Sequence, residues 1–427
     1  MQEPTVATQT SSLRWRGTAA RSVGALGAVT LAAAGLLFSR ADVVALALPL
    51  AIWTVLAARP TAATAKLRVH LTAEAPETSR QVLGLVEASS DAEIVQMSVV
   101  QGGVHQRTVE VSGREGIVRS QSKLLHSGPL SLLRVHARML ATDGAWVSEI
   151  ADGGELIWHA APVSKPLPAL PLAPRLRGLH GSHEGERAGV GGDFRDLHPF
   201  APGDELRRVD WRATARLARR SGDLFIRRTN ALSDASVVIM IDTSDDLGSV
   251  VATWGAELPE RSGPTSLDLA REAGRSVAAA AIAEGDRVAL HELHPAGLTL
   301  RSGAGSRHLS RIVSNLAAMG PRDIDPTLRR TPPVPAGSVI YLLSTFFARS
   351  AASMALNWRS AGHRVIAIDT LPAPDLTQIT PQLHTTMRIL LAERKEVFRT
   401  LENSGVEVLT WRDDPVVSLR AIGKVRR

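Results

Sequence analysis

The run Asp242-Thr243-Ser244-Asp245-Asp246 gathers carboxylate and hydroxyl oxygens within five residues. It follows Val237–Ile241, a short continuous apolar run of the kind expected for a strand buried on both faces. In open α/β sheets, ligands collect where loops leave the carboxyl ends of such strands. A hard cation such as Mg²⁺ takes carboxylate, hydroxyl and water oxygens in an octahedron. Cation binding is therefore one chemistry this segment could perform. A plainer reading stands beside it, in which Asp242 and Ser244 satisfy a turn or cap a helix.

A second concentration of chemistry lies just upstream. Arg207, Arg208, Arg212, Arg216, Arg219, Arg220, Arg227 and Arg228 are interleaved with Asp204, Glu205, Asp210 and Asp223. Arg pairs with carboxylates in bidentate fashion more readily than Lys does. Three uses are open: internal ion pairing, docking of an acidic partner surface, or contact with phosphate or anionic lipid. Within the first, Asp210-Trp211 is expected to form a buried corner, with Asp210 paired to Arg216 or Arg207. Nucleic acid is not an expected partner, because aromatics make up only 4% of the chain, with one Tyr to serve as a stacking platform beside few others. Catalysis is not expected either. His198, His363 and His384 are isolated, and the sequence contains no Gly-x-Ser-x-Gly, His-Glu-x-x-His or Walker-type loop.

The elements that must position these groups follow from length and pattern. A chain of 427 residues suggests two or three domains. Its 44% hydrophobic content excludes a disordered chain, and the absence of cysteine excludes a disulfide scaffold or a Cys-based metal centre. The net charge is +7, with only five Lys among 49 basic residues. Two uncharged apolar runs, Ser22–Phe38 and Val43–Ala58, are separated by Ser39-Arg40-Ala41-Asp42. They predict a transmembrane helical hairpin over 22–58, preceded by a tail over 1–21. Arg14, Arg16 and Arg21 precede it, and Arg59, Lys66 and Arg68 follow it. The positive-inside rule then places both ends in the cytoplasm, as a multi-pass protein of the cell membrane. A charged stretch leading an apolar run also fits a signal peptide, but the second run argues against that.

From Lys66 the pattern turns to period two. Residues 66–160 are expected to form a small antiparallel β-sandwich, with strands at Val82–Val86, Ile94–Val99, Thr108–Val111, Leu130–Ala137 and Ala145–Ser148. Residues 161–190 read as a linker, stiff where it carries Pro162, Pro166, Pro168, Pro171 and Pro174 and mobile from Gly178 to Gly192. Residues 231–427 alternate strand and helix patterns, which predicts an open, doubly wound α/β sheet. The fold class is thus multi-domain: helical hairpin, β-sandwich and α/β domain.

Residues 191–230 carry the most specific stretch, GGDFRDLHPFAPGDELRRVDWRATARLARRSGDLFIRR from Gly191 to Arg228. It resembles the central motif of the bacterial family called domain of unknown function 58. The matching positions include Gly192, Phe194, Pro202, Gly203, Asp204, Arg207, Asp210, Trp211, Arg216 and Arg227. Departures are Asp193 for Glu, His198 for Arg and Phe200 for Tyr. Gly128-Pro129 and Asp143-Gly144 are similar to landmarks of the family's β-domain. The resemblance implies a membrane-anchored protein whose last domain is von Willebrand factor A-like, and which works beside a MoxR-type AAA+ ATPase. Von Willebrand A-like domains hold a divalent ion with Asp-x-Ser-x-Ser. By that resemblance Asp242, Ser244 and Asp246 are the candidate metal ligands, with Asp replacing the last Ser. The Asp expected after the neighbouring strand is absent from Leu343-Ser344-Thr345, and Asp369 follows a strand further away. The expected function is a membrane-anchored protein-interaction module, with no cofactor unless Mg²⁺ binds. The alternative is a hydrolase or adhesion-type module with an atypical metal site at Asp242.

Overall fold

The computed structural model describes residues 5–58, 64–75, 81–103, 105–168, 170–171, 183–202, 204–220, 222–233, 235–256, 263–322 and 332–424. The chain divides into two compact units. The first comprises Met1–Leu124 and Pro129–Trp158, the second Leu125–Gly128 and His159–Arg427.

The first unit opens with strand β1 (Thr5–Gly17), followed by helices α1 (Ala19–Leu37) and α2 (Ala41–Leu56). The expected tail over 1–21 is therefore corrected: backbone pairing with strands later in the chain draws Thr5–Gly17 into a sheet, where Leu13 is buried. Helix α1, about 28 Å long at 1.5 Å per residue, is long and apolar enough to cross a membrane; α2 is apolar but shorter. The two helices pack closely. A Cβ on Gly24 would come within 2.4 Å of the Trp53 ring, and one on Gly35 within 2.6 Å of Val44.

The chain then enters β2 (Thr64–Glu74), β3 (Gln81–Ser90), β4 (Ile94–Gln101), β5 (His105–Ser112), β6 (Gly116–Lys123), β7 (Gly128–Leu140), β8 (Trp146–Ser148) and β9 (Ala151–Ala160). Four of the expected strands fall within these, and the fifth, Ala145–Ser148, overlaps β8 from Trp146; β1, β6 and β9 are additional. The order is β5-β4-β7-β8-β1-β2-β3-β6, with β9 on β7. β1 joins the two halves: Thr5–Arg14 pair antiparallel with β2, and Trp15–Gly17 with β8. The halves face each other through buried Leu71, Val82 and Val86 on one side and Met97, Leu133 and Met139 on the other. Gly84 makes room for this contact, since a Cβ there would meet Leu133 at 2.7 Å. The turn before β8 is tied to both helices. Ala145 O accepts the Thr18 N–H at 2.9 Å, and the Trp146 indole donates to Ala57 O at 3.0 Å.

The second unit begins its regular structure with a two-stranded ribbon, β10 (His183–Pro199) and β11 (Phe225–Ser233). Residues 183–192 were expected to be mobile loop. They are instead the start of β10, because backbone pairing with β11 persists through register shifts in this Gly-rich stretch. Residues 178–182 lie outside the described residues. Between the strands are a 3₁₀ turn at Leu206–Arg208 and the short helix α3 (Trp211–Leu217).

The α/β sheet follows, with β12 (Ser236–Ile241), α4 (Ser266–Ala283), β13 (Arg287–Glu292), β14 (Thr299–Gly303), α5 (Ser306–Ala318), β15 (Val339–Ser344), α6 (Arg349–Ser360), β16 (Arg364–Asp369), α7 (Pro381–Asn403), β17 (Glu407–Thr410) and α8 (Pro415–Lys424). The strand order is β14-β13-β12-β15-β16-β17, parallel except for the edge strand β14. Counted from β12, this is the doubly wound order 3-2-1-4-5-6, whose switch point falls between β12 and β15. Successive residues of β12 serve opposite faces. Val237, Ile239 and Ile241 join a core with α4, α5 and α8, whereas Val238 and Met240 join one with α6 and α7. Helix α4 starts at the expected capping box, in which Thr265 and Asp268 satisfy each other's backbone N–H groups. It stops before Gly285, whose φ of +85° suits the left-handed position after a helix.

The expected stiff linker is also corrected in part. Residues 161–168 strap the second unit. Lys165 pairs with Glu272 at 2.7 Å, its N–H donates to Ser276 Oγ at 2.9 Å, and Leu167 and Leu170 join the core. Apolar residues placed between the prolines gain more by burial than an extended spacer gains from solvent. Residues 172–182 lie outside the described residues.

Candidate functional site

The switch point brings together residues from four strand ends. Asp242 follows β12, and its N–H donates to Leu343 O at 2.9 Å. Its Oδ1 accepts from the Ser244 N–H at 3.1 Å and Ser244 Oγ at 2.7 Å. Its Oδ2 accepts from Ser344 Oγ at 2.7 Å, across the gap to β15. Thr345 Oγ1 donates to Asp245 Oδ2 at 2.6 Å. Burial pushes the Asp245 carboxyl up, as does nearby Asp242, while the Thr345 hydroxyl works against both. Of the sequence-derived ligands, Asp242 and Ser244 are thus in direct contact, while Asp246 is half-buried two residues beyond Ser244.

The flanking strand ends carry closed ion pairs. Glu292, at the end of β13, has a fully buried side chain. It accepts from Arg322 Nε at 2.7 Å, Thr243 Oγ1 at 3.0 Å and the Leu298 N–H at 2.8 Å. Asp369, at the end of β16, pairs with Arg394 from α7, and its Oδ1 also accepts the Leu371 N–H at 2.9 Å. Arg394 Nε donates to Thr345 O at 2.5 Å, and its guanidinium lies 4.7 Å from the Phe398 ring centre. Burial pushes the Asp369 carboxyl up and the Arg394 guanidinium down, each partly offset by the other. Phe346, next to these groups, is buried with a φ of +57°, a left-handed conformation that costs a bulky side chain energy. Its N–H donates to Ser344 Oγ at 2.9 Å, so the strained turn is wired to Asp242 through one hydroxyl. Ser244, His294, Pro321 and Arg322 line an open depression of about 490 Å³ beside this network.

Among the described residues no group of three or more His, Cys, Asp or Glu side chains is arranged to hold a metal. Asp242, Ser244 and Ser344 do supply hard oxygens. A cation there would have to displace the hydroxyl hydrogen bonds they now make with one another.

The upstream segment is built differently. Asp210 caps α3: its Oδ1 accepts the Ala213 N–H at 2.9 Å. The expected pairing of Asp210 with Arg216 or Arg207 is therefore replaced by a helix cap. Trp211 is 66% exposed, so the expected buried corner is also corrected. As the first residue of a two-turn helix, Trp211 has its ring on the outer side, while Ala213 takes the buried position. Asp204 Oδ2 accepts the Ala201 N–H at 2.8 Å, and Asp223 Oδ2 accepts the N–H groups of Arg219 and Arg220 at 3.1 and 3.0 Å. Glu205 pairs with Arg207 at 2.5 Å and Arg208 at 3.4 Å. Arg227 lies over the exposed Phe194 ring at 5.4 Å. Arg212, Arg216, Arg219 and Arg220 are exposed, and among the described residues no carboxylate pairs with them. Pro202 leads into the Asp204 turn, Gly192 lies in β10, and Gly203 is outside the described residues.

Residues 196–377 match one family model, protein of unknown function DUF58. The match covers β10 from Asp196, the whole Arg/Trp segment and the switch point as far as Thr377, and so includes the Asp242 and Ser344 network. Gly192 and Phe194 precede it, as does the first unit. No curated protein matches the chain.

Sequence reading missed Ser344 and Thr345 as working partners, because it looked there for a carboxylate. It also missed Glu292, Arg322 and Arg394. The available signal was a polar residue closing each apolar strand run: Glu292, Ser344 and Asp369 all occupy that place.

Proposed function

We propose that the chain is a membrane-anchored, cytoplasm-facing protein-interaction module that works with a MoxR-type AAA+ ATPase in a chaperone-like or assembly process. One observation carries the interaction reading: Trp211 is two-thirds exposed on a capped helix, close in sequence to guanidinium groups that have no acidic partner among the described residues. Trp and Arg are the side chains that dominate binding energy at protein interfaces. Leaving the Trp211 ring in water is a cost that a partner would recover.

Support for the anchor comes from α1 and from the connectivity around it. The strands before and after the helix pair are neighbours in one sheet, so a hairpin in a bilayer would return both ends to the same side. The basic residues Arg14, Arg16 and Arg21 before it favour the cytoplasmic side. A von Willebrand A-like reading of the α/β sheet draws on the order 3-2-1-4-5-6 and on Asp242 and Ser244 at its switch point.

The test is co-purification of the full chain from detergent extracts. An AAA+ ATPase is expected to be enriched over a control bait, and Trp211→Ala is expected to lower that enrichment. The reading fails if no such ATPase is enriched, or if Trp211→Ala and Asp210→Ala both leave enrichment unchanged in folded protein.

A second reading has one observation in its favour. Five oxygen-bearing residues, Asp242, Ser244, Ser344, Asp245 and Thr345, converge at the place where ligands bind in this sheet order. Under it, the module holds Mg²⁺ or Mn²⁺ at Asp242 and acts as a hydrolase or adhesion-type domain. Titration calorimetry separates the two: heat of binding that disappears in Asp242→Ala favours the metal, and no heat in the wild type ends it.

A further inference from the structure

The interleaved signs of the 204–223 segment look self-neutralising in sequence, but the hydrogen bonds divide them unevenly. Three of its four carboxylates are spent on backbone N–H groups: Asp204 on Ala201, Asp210 on Ala213, and Asp223 on Arg219 and Arg220. Among the described residues, Glu205 alone of the four reaches guanidinium groups, those of Arg207 and Arg208. The acids thus shape the segment, while Arg212, Arg216, Arg219 and Arg220 are exposed within nine residues of Trp211 along the chain. Leu206 and Leu217 are also exposed in the same span.

The geometry points to an acidic protein segment as the occupant of this surface, with carboxylates held by Arg212, Arg216, Arg219 and Arg220 and an apolar side chain against Trp211. This rests on the interaction reading above and names the chemistry of the partner. Each guanidinium offers a planar fork that matches a carboxylate. A bilayer responds instead to net charge summed over roughly a Debye length of about 8 Å or more. With six Arg against four acids, the segment has a net charge of only +2. Local forks on a nearly balanced background select carboxylates placed in register, which a peptide supplies and a fluid lipid surface does not. The exposed indole adds an apolar contact that buried carboxylate pairing needs if it is to be dry.

Fluorescence anisotropy on the full chain in detergent tests this with two labelled synthetic peptides. One is built of Glu, Ser and Leu; the other has every Glu replaced by Gln. The Glu peptide is expected to bind about tenfold tighter, or more, as several charge-assisted contacts add. The combined Arg212→Gln, Arg216→Gln, Arg219→Gln and Arg220→Gln variant should bind both peptides alike. Trp211→Ala should weaken both, and Arg399→Gln, an exposed Arg elsewhere, should change neither. A melting midpoint equal to wild type shows that each variant is folded. Equal affinity for the two peptides, or binding to neither, overturns the inference. So does preferential binding to phosphatidylglycerol vesicles that the combined Arg variant abolishes, which would assign the surface to lipid. These results are separable from failure of the interaction reading, which is read by ATPase enrichment and not by peptide charge.

Discussion

The switch point and the Arg/Trp segment draw on the same residue types and use them in opposite ways. At the switch point, Asp242, Asp245, Glu292 and Asp369 each receive a side-chain hydroxyl or a guanidinium. Polar groups there are paired with one another across β13, β12, β15 and β16, and burial makes each pairing costly to break. In the segment, three of the four carboxylates are absorbed by the backbone, and among the described residues the guanidiniums of Arg212, Arg216, Arg219 and Arg220 are left without a carboxylate. Charge density therefore says little by itself. What the acids bind decides whether the bases are structural or available. The contrast predicts that substitutions at the switch point act on stability, whereas those in the segment act on binding.

The largest stability effect is expected at Arg394→Met. It leaves Asp369 buried without its cation and frees Thr345 O as well. Removing one member of a buried pair costs about 3–5 kcal/mol. Chemical denaturation should show the loss, and a cost below about 1 kcal/mol, the scale of an exposed pair, would remove the argument that this network is closed.

Acid should act next, through Asp268 at the start of α4. Burial pushes its carboxyl up. The His126 ring at 2.7 Å, the Thr265 N–H, and the Ser127 N–H and hydroxyl outweigh that and bring it down to about 2. A lowered folded-state value means stability that is present above the unfolded value near 3.9 and lost as pH falls toward about 2, worth roughly 2 kcal/mol. The melting midpoint should therefore fall between pH 4 and pH 2 more steeply in wild type than in Asp268→Asn, which has already lost the term at neutral pH. Parallel curves would count against the assignment.

Much of this fold was legible in the sequence because its signals were local. Val237–Ile241 and Val339–Leu343 read as strands buried on both faces, and Thr265 with Asp268 read as a capping box. What escaped depended on partners distant in sequence. β1 becomes a strand only because β2 returns to it across the helix pair, and Thr5–Arg14 look like a tail until Thr64–Ala73 lie beside them. Residues 183–192 carry glycines that signal a loop, but pairing with β11 holds them extended. At the site, Asp242 and Ser244 were legible because their spacing is short. Ser344, about a hundred residues away, was considered only as a missing carboxylate, although its hydroxyl is what Asp242 uses. Trp211 was misjudged for a related reason: a Trp beside an Asp suggests burial, yet the Asp is consumed by the helix that carries the ring outward.

A milder effect is expected at Asp242→Asn. An amide there still accepts from one of Ser244 and Ser344 but presents a donor to the other, so the cost should be about 1–2 kcal/mol, the range for a mismatched buried hydrogen bond. The same variant sharpens the choice between the two readings. If the network is purely structural, Mg²⁺ leaves the wild-type midpoint where it was, and the wild type stays more stable than Asp242→Asn by the same margin. If Mg²⁺ raises the wild-type midpoint and not that of Asp242→Asn, the switch point is a ligand site and the contrast with the segment narrows.

The smallest stability effect should accompany the largest binding effect. Trp211→Ala removes an exposed ring from a helix whose cap is Asp210 and whose buried residue is Ala213, so neither support is touched. Surface substitutions of this kind usually stay within about 0.5 kcal/mol. Interface Trp residues, by contrast, cost about 2 kcal/mol or more of binding energy when truncated. An unchanged melting midpoint together with clear loss of partner enrichment would mark Trp211 as a binding residue. A large drop in stability would mean that the ring packs on something in the folded protein, and the distinction between a closed switch point and an open segment would fail at its most exposed residue.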